Sequence, residues 1–158
     1  MHDRASFSCG VESLDRYFKT QAAQDVRRKA NAVFVLVAAG EPRAVLGYFT
    51  LCAFGLASGE IPDQARKHLP RYPLVSATLI GRLAVAKSHH GQGLGGILLV
   101  RALRLAHRNA DVVGSSMVVV DALDENAVRF YAAHGFARLP RSLRLVLPMR
   151  TLATLFKS

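Results

Sequence analysis

The stretch SHHGQGLGGILLVRALRLAHR, residues 88–108, decides how the fold of this chain is interpreted. Within six residues it places four glycines directly ahead of an apolar segment that carries arginines: Gly91, Gly93, Gly95 and Gly96. A glycine-rich turn that opens a helix presents backbone N–H groups at the positive end of the helix dipole, where phosphate groups bind. The stretch therefore predicts a phosphate-bearing ligand on this turn, followed by a helix from about Gly95 to Ala110.

The segments on either side of the turn alternate between predicted strands and helices. Before it, residues 7–30 show helical periodicity and predict one amphipathic helix, and two β-branched runs over 31–39 and 44–57 predict a hairpin. Residues 61–73 form a Pro-bounded excursion, and 76–86 predict a strand. After the turn, 115–123 predict a buried strand, 124–136 a helix with Asp124 as N-cap and Gly135 as C-terminal stop, and 142–149 a closing strand. This order predicts a mixed α/β sheet in a single domain, residues 1–158.

Composition and charge exclude several classes of protein. The chain is 51% hydrophobic and 20% charged, which is typical of a globular domain and not of a disordered chain. No apolar run approaches the ~20 residues of a membrane span, and the start lacks the apolar core of a secretory signal. Two cysteines, Cys9 and Cys52, predict reduced thiols in a cytoplasmic protein. The 21 Lys and Arg against 11 Asp and Glu give a net charge of +10, which favours polyanionic partners.

The glycine spacing alone does not choose the phosphate ligand. Gly91, Gly93 and Gly96 also satisfy G-x-G-x-x-G, the fingerprint of dinucleotide-binding enzymes. That fingerprint belongs in the first strand–helix–strand unit of a fold, whereas here a helix and a hairpin come first. Gly96 is followed by Ile97 and Leu98 in place of the lysine of a nucleotide hydrolase. A dinucleotide or a nucleoside triphosphate is therefore disfavoured.

Two further motifs carry a resemblance to a known family. RLAVAKSHHGQGLGGILL resembles the acetyl-CoA-binding core of GNAT acetyltransferases, in which a strand leads through [Q/R]-x-x-G-x-[G/A] into a helix. Gly93 and Gly95 match the two glycines, and His90 stands in place of the Gln or Arg. VDALDENAVRFYAAHGF resembles the second hallmark of the family. The resemblance implies the GNAT fold: a central, twisted, mostly antiparallel sheet with splayed strands, flanked by helices.

The same resemblance implies a site for acetyl-CoA as co-substrate, without a metal. Tyr131 would protonate the departing CoA thiolate, since a phenol is protonated at neutral pH; a tyrosine packed in the core is the alternative. Asn126 would hydrogen-bond the pantetheine arm, or simply be solvated. None of the histidines is assigned as a general base. The other cofactor-binding residues are a strand backbone and the turn: Leu83, Ala84, Val85, His90, Gly91, Gln92, Gly93, Leu94, Gly95 and Gly96.

A narrower resemblance lies outside the cofactor motifs. The opening FSCGVESLD and the Pro-Arg-Tyr-Pro of residues 70–73 are similar to the GNAT toxins of bacterial toxin–antitoxin modules. This implies acetylation of the α-amino group of aminoacyl-tRNA, with a ribbon-helix-helix antitoxin as partner. Arg71 and Arg82 are candidates for holding the tRNA 3′ end. Three basic clusters suit phosphate contacts, or a solvated surface, or an acidic antitoxin tail: 101/104/108, 138/141/144 and 27/28/29.

Other functions stay open on the sequence alone. A GNAT enzyme that acetylates a small amine or a protein amine would carry the same motifs, as would a non-catalytic CoA-binding module. Both a monomer and a homodimer are compatible with the sequence.

Overall fold

The computed structural model describes residues 2–67 and 69–156, whose contacts divide into two compact units. The first unit comprises Met1–Cys52 and Gly81–Ala102, and the second comprises Ala53–Ile80 and Leu103–Ser158. Three long elements contribute residues to both units: strand β2 (Glu41–Ala57), strand β3 (Leu74–Val85) and helix α4 (Leu94–Val113). The single-domain assignment stays a prediction.

The first unit packs two short helices on a hairpin. Helix α1 (Glu12–Thr20) and helix α2 (Ala22–Arg27) precede strand β1 (Ala32–Ala38), which pairs antiparallel with β2. The prediction of one helix over 7–30 was wrong, because the chain turns at Gln21 (φ −117°, ψ −30°) between the two helices. The break lets both helices direct apolar side chains into a core in which the rings of Phe18 and Tyr48 stack 4.4 Å apart.

The second unit contains the remaining strands. The first half of β3 pairs in parallel with β4 (Met117–Asp121), which pairs antiparallel with β6 (Arg144–Pro148), and β6 pairs with the short β5 (Ala137–Arg138). Helix α3 (Asp63–Arg66) lies in the β2–β3 connection, and helix α5 (Glu125–Ala133) follows β4. The closing strand, predicted to reach residue 149, ends at Pro148, because helix α6 (Met149–Leu155) begins at the next residue. This helix buries Leu152 completely.

The strands are hydrogen-bonded in the order β1-β2-β3-β4-β6-β5. The β3–β4 pair is parallel, whereas the β1–β2, β4–β6 and β5–β6 pairs are antiparallel, so the structure is a mixed α/β fold with a mostly antiparallel sheet and flanking helices, as predicted. The β3–β4 register ends at Ile80 opposite Val120, although β3 continues to Val85. In the described part of the chain, every helix is too short or too polar to cross a membrane.

Candidate active site

The glycine turn adopts a conformation that few other residues tolerate. Gly91 has φ +80° and Gly93 has φ +76°, and a Cβ built on either would meet no atom within 4 Å. Ile97 N–H donates to the Gly93 carbonyl at 3.3 Å, the first hydrogen bond of α4. The N–H groups that precede this bond belong to the first turn and have no helical acceptor: Leu94, Gly95 and Gly96. Open space beside free N–H donors at a helix N-terminus suits a phosphate anion.

The His90 side chain contacts the end of strand β3. Its Nε2 lies 2.8 Å from the Val85 carbonyl oxygen, and since a carbonyl only accepts, the ring N–H donates. The Val85 carbonyl is therefore engaged, and the Ala84 carbonyl faces Gly47 on β2, which leaves the N–H of Val85 and the backbone of Leu83 as the candidate partners of a pantetheine amide. Because pairing with β4 ends at Ile80, that strand does not occupy this stretch of β3.

Gly47 on β2 lies directly against β3 at Ala84. A Cβ on Gly47 would lie 2.8 Å from the Ala84 carbonyl oxygen and 2.7 Å from Cδ1 of Leu98. Both distances are shorter than side-chain carbons tolerate, so only glycine lets the strand and the first turns of α4 approach so closely. The sequence analysis missed this residue, which looks like an ordinary strand position.

Arg82 is held by an aromatic ring and a network of hydrogen bonds. Its guanidinium carbon lies 3.5 Å from the ring centroid of Tyr17, a cation–π contact. The Tyr17 hydroxyl donates to Asp25 at 2.7 Å, and Asn31 and Gln21 each donate to the same carboxylate at 3.0 Å. These bonds lower the pKa of Asp25, while burial and the bond to Asp25 raise the pKa of Tyr17 to about 12. The hydrogen bonds to Asp25 position the Tyr17 ring, and that ring covers one face of the Arg82 guanidinium.

In the second unit, helix α5 is closed at both ends as its sequence predicts. The Asp124 side chain accepts a hydrogen bond from Ala127 N–H at 2.8 Å, which confirms it as the N-cap. Gly135 has φ +97°, and Phe136 N–H returns to the Tyr131 carbonyl at 3.2 Å. The turn that ends the helix therefore fixes the backbone at Tyr131.

Tyr131 is buried and rigidly packed. Only 8% of it is exposed, and its ring meets those of Phe130 and Phe136 edge to face at 5.1 and 5.6 Å. Burial raises the pKa of Tyr131 to about 12. The phenol is therefore fully protonated at neutral pH, as a general acid must be before it donates.

The other predicted polar residues of the second unit already have protein partners. The Asn126 side-chain oxygen accepts a hydrogen bond from Arg129, so its amide N–H groups remain for a ligand. Arg138 contacts both carboxylate oxygens of Glu125 at 3.0 Å. Arg144 contacts Asp121 at 2.7 Å and Glu60 at 3.3 Å. The charges of these two arginines are matched within the protein, which weakens them as phosphate contacts.

The arginines of α4 are exposed, whereas the two cysteines are buried or partly buried. Arg101, Arg104 and Arg108 are exposed on α4, and Arg104 lies over the ring of Phe156 at 4.8 Å. Both thiols are free, and burial raises the pKa of Cys9 to about 11 and that of Cys52 above its ordinary value. Neither thiol is activated as a nucleophile.

A family comparison identifies this arrangement. Residues 31–138 match the family described as Acetyltransferase (GNAT) domain, a span that contains both the glycine turn and Tyr131. The chain belongs to the GNAT acetyltransferase family. Within the described residues, no cluster of three or more His, Cys, Asp or Glu side chains could hold a metal ion.

Curated relatives of this GNAT chain are toxins by name. It is 32% identical over 149 residues to a "tRNA-acetylating toxin" of Mycobacterium tuberculosis, an alignment that covers 94% of this chain and 87% of the relative. It is 28% identical over 162 residues to "Probable toxin TacT" of Sinorhizobium fredii, which covers 98% of this chain and 89% of the relative.

Solved structures similar to the GNAT chain include ligand complexes. "AtaT complexed with acetyl-methionyl-tRNAfMet" superposes with a TM-score of 0.90 at 30% identity, covering 99% of this chain and 93% of that one. "Crystal structure of AtaTR bound with AcCoA" gives 0.86 at 30% identity, covering 99% and 92%. A tyrosine-to-phenylalanine mutant of KacT gives 0.92 at 29% identity, covering 98% and 92%.

Proposed function

We propose that this chain is an acetyl-CoA-dependent N-acetyltransferase that acetylates the α-amino group of aminoacyl-tRNA and so blocks translation, as the toxin of a toxin–antitoxin module. The observation that carries the proposal is the likeness, along nearly the whole chain, to a tRNA-acetylating toxin and to AtaT in complex with acetylated tRNA. The partner is a ribbon-helix-helix antitoxin, and the place of action is the cytoplasm. The net charge of +10 supports a polyanionic substrate.

The glycine turn would hold the pyrophosphate of acetyl-CoA. Its free N–H groups and the α4 dipole favour the anion, and the space where Cβ atoms of Gly91 and Gly93 would project is open. The backbone of Leu83 and the N–H of Val85 would pair with the pantetheine amides, and Asn126 would add its amide N–H. A backbone N–H of this strand would also stabilise the oxyanion that forms when the thioester carbonyl is attacked.

Tyr131 would act at the end of the transfer. The neutral amine attacks the thioester carbon, the C–N bond forms, and the C–S bond then breaks to release a thiolate. The phenol of Tyr131 donates its proton to that sulfur, and the proton lost by the amine passes to solvent. The phenolate left behind takes a proton from solvent before the next cycle, which the pKa of about 12 favours at neutral pH, and the aromatic packing around the ring positions the hydroxyl.

Arg82 and Arg71 would serve the tRNA. The Tyr17 ring holds Arg82 from one face, which leaves the edges of the guanidinium for phosphate oxygens. Arg71 is exposed in the connection between β2 and β3. Neither arginine reads sequence in this arrangement, because phosphate contacts only position the substrate.

Incubation of the purified protein with labelled acetyl-CoA and charged total tRNA tests the function. We expect label on charged tRNA and none on deacylated tRNA. Tyr131→Phe keeps the ring and its packing but removes the transferable proton, so kcat should fall by about 10²–10⁴-fold while acetyl-CoA affinity is unchanged. Label on free amines but not on charged tRNA would replace the substrate with a smaller one. A fully active Tyr131→Phe would reduce Tyr131 to a core residue.

A further inference from the structure

The connection between β2 and β3, described over residues 58–67 and 69–73, forms an anchored loop. Ser58 N–H donates to the Pro73 carbonyl at 2.9 Å, which joins the two ends. Ile61 is 2% exposed and Leu69 packs against the same buried cluster, so the loop is attached to the core of the second unit from within. The backbone that carries the exposed side chains of this loop is therefore anchored to the core.

Residues of this loop line an open, basic cavity of about 460 Å³, within the size range of small-molecule sites. Three cations line it: Arg66, Lys67 and Arg71. The one acidic residue in its lining, Asp63, already pairs with Arg66. Among the described residues, Lys67 and Arg71 form no side-chain hydrogen bond or ion pair, so the cavity keeps an excess of positive charge.

Tyr72 lines the same cavity and is exposed to an unusual degree. The chain has four tyrosines, and the other three are at most 8% exposed, whereas Tyr72 is 68% exposed. It stands between Arg71 and Pro73, and proline fixes the backbone on that side. An accessible aromatic ring beside unpaired cations is the arrangement that binds unpaired nucleotides, since the ring stacks on a base and the cations meet the phosphates.

We propose that this cavity binds an unpaired nucleotide of the substrate RNA, with its base stacked on Tyr72 and its phosphate against Lys67 and Arg71. The inference rests on the proposed function, and the tRNA segment it fits is the single-stranded 3′ end. The charge excess and the exposed ring together favour a nucleotide over an acidic peptide, which would use the cations but has no base to stack.

The absence of tryptophan from the whole chain allows a direct test. Tyr72→Trp keeps a stacking ring and makes residue 72 the only indole, so its fluorescence reports on this cavity alone. We expect quenching by a short single-stranded RNA ending in CCA, and weaker quenching at higher salt. The matched control is Val112→Trp, an indole at a position 79% exposed near the end of α4, which the RNA should not quench.

A second variant connects the cavity to catalysis. Tyr72→Ala should raise the KM for charged tRNA by about 5- to 150-fold, the usual effect of losing one stacked base. The phosphate contact is tested with Arg71→Ala, which should also raise that KM, whereas Arg43→Ala, the same loss of charge at an exposed arginine outside this loop, should leave it unchanged.

The outcomes separate the inference from the function on which it rests. Acetylation of charged tRNA without quenching of Tyr72→Trp overturns the nucleotide site and leaves the function standing. Quenching without acetylation supports the nucleotide site and overturns the proposed substrate. Equal quenching by duplex RNA, or by an acidic peptide such as poly-glutamate, overturns the stacking of a base.

Discussion

Substitution of Gly47 by alanine tests the physical account of the cofactor strand. The new Cβ would lie 2.8 Å from the Ala84 carbonyl oxygen, and ordinary contact begins at 3.4 Å, so backbone must move by about 0.6 Å. The second clash, 2.7 Å from Leu98 Cδ1, meets the end of a side chain that can rotate. The displaced backbone is the stretch of β3 proposed to pair with the pantetheine amides.

Two effects of opposite sign set the expected stability. Alanine in a strand is favoured over glycine by roughly 0.5–1 kcal/mol, because it restricts the unfolded chain. Forcing a methyl group into a packed core costs about 1–3 kcal/mol. The clash should win, for a net loss of about 1 kcal/mol and a fall in Tm of about 2–4 °C in a chain of this size.

The control for this prediction lies on the same strand. A Cβ on Gly55 would meet its nearest atom, Leu74 Cδ1, at 3.6 Å, which is ordinary contact. Gly55→Ala should therefore keep or slightly raise the stability. Urea unfolding followed by circular dichroism measures both variants, and calorimetry should find weaker acetyl-CoA binding for Gly47→Ala only. If Gly47→Ala is as stable as Gly55→Ala and binds acetyl-CoA normally, the close approach of β2 and β3 does not support the site.

Two further predictions concern the turn and the catalytic tyrosine. Gly93→Ala and Gly40→Ala both place a side chain at positive φ in open space, so each variant should lose about 1–2 kcal/mol of stability. Only Gly93→Ala should also weaken acetyl-CoA binding, by about tenfold or more in calorimetry. If the two variants bind acetyl-CoA with equal affinity, the pyrophosphate does not bind on this turn. The pKa of Tyr131 is about 12 in the fold and about 10 when unfolded, so its contribution is complete below pH 10 and is lost as pH rises towards 12. The free energy of unfolding, measured with urea, should therefore fall between pH 9 and pH 11 by about 1.4 kcal/mol more in the wild type than in Tyr131→Phe. An equal fall in both proteins would mean that the phenol is not buried in solution.

Local sequence determined the elements whose signals are local. Gly91 and Gly93 adopt the positive φ values that the turn requires, because only glycine does so without strain. Asp124 caps α5 as its position before the helix predicts, and the hairpin and the buried strand over 117–121 follow from β-branched runs. The charge of +10 and the two family motifs likewise needed no structure.

Tertiary packing decided what the local pattern could not. Helical periodicity runs through residues 7–30, yet the chain breaks at Gln21, and Asp25 then receives the hydroxyl of Tyr17. Helix α6 has β-branched threonines and forms around one buried residue, Leu152, so its stability comes from packing and not from propensity. The contacts of Gly47 with Ala84, and of Arg82 with Tyr17, join residues 37 and 65 positions apart in the sequence. Sequence determines which residues favour a turn or a helix, whereas only the folded chain determines which distant atoms meet.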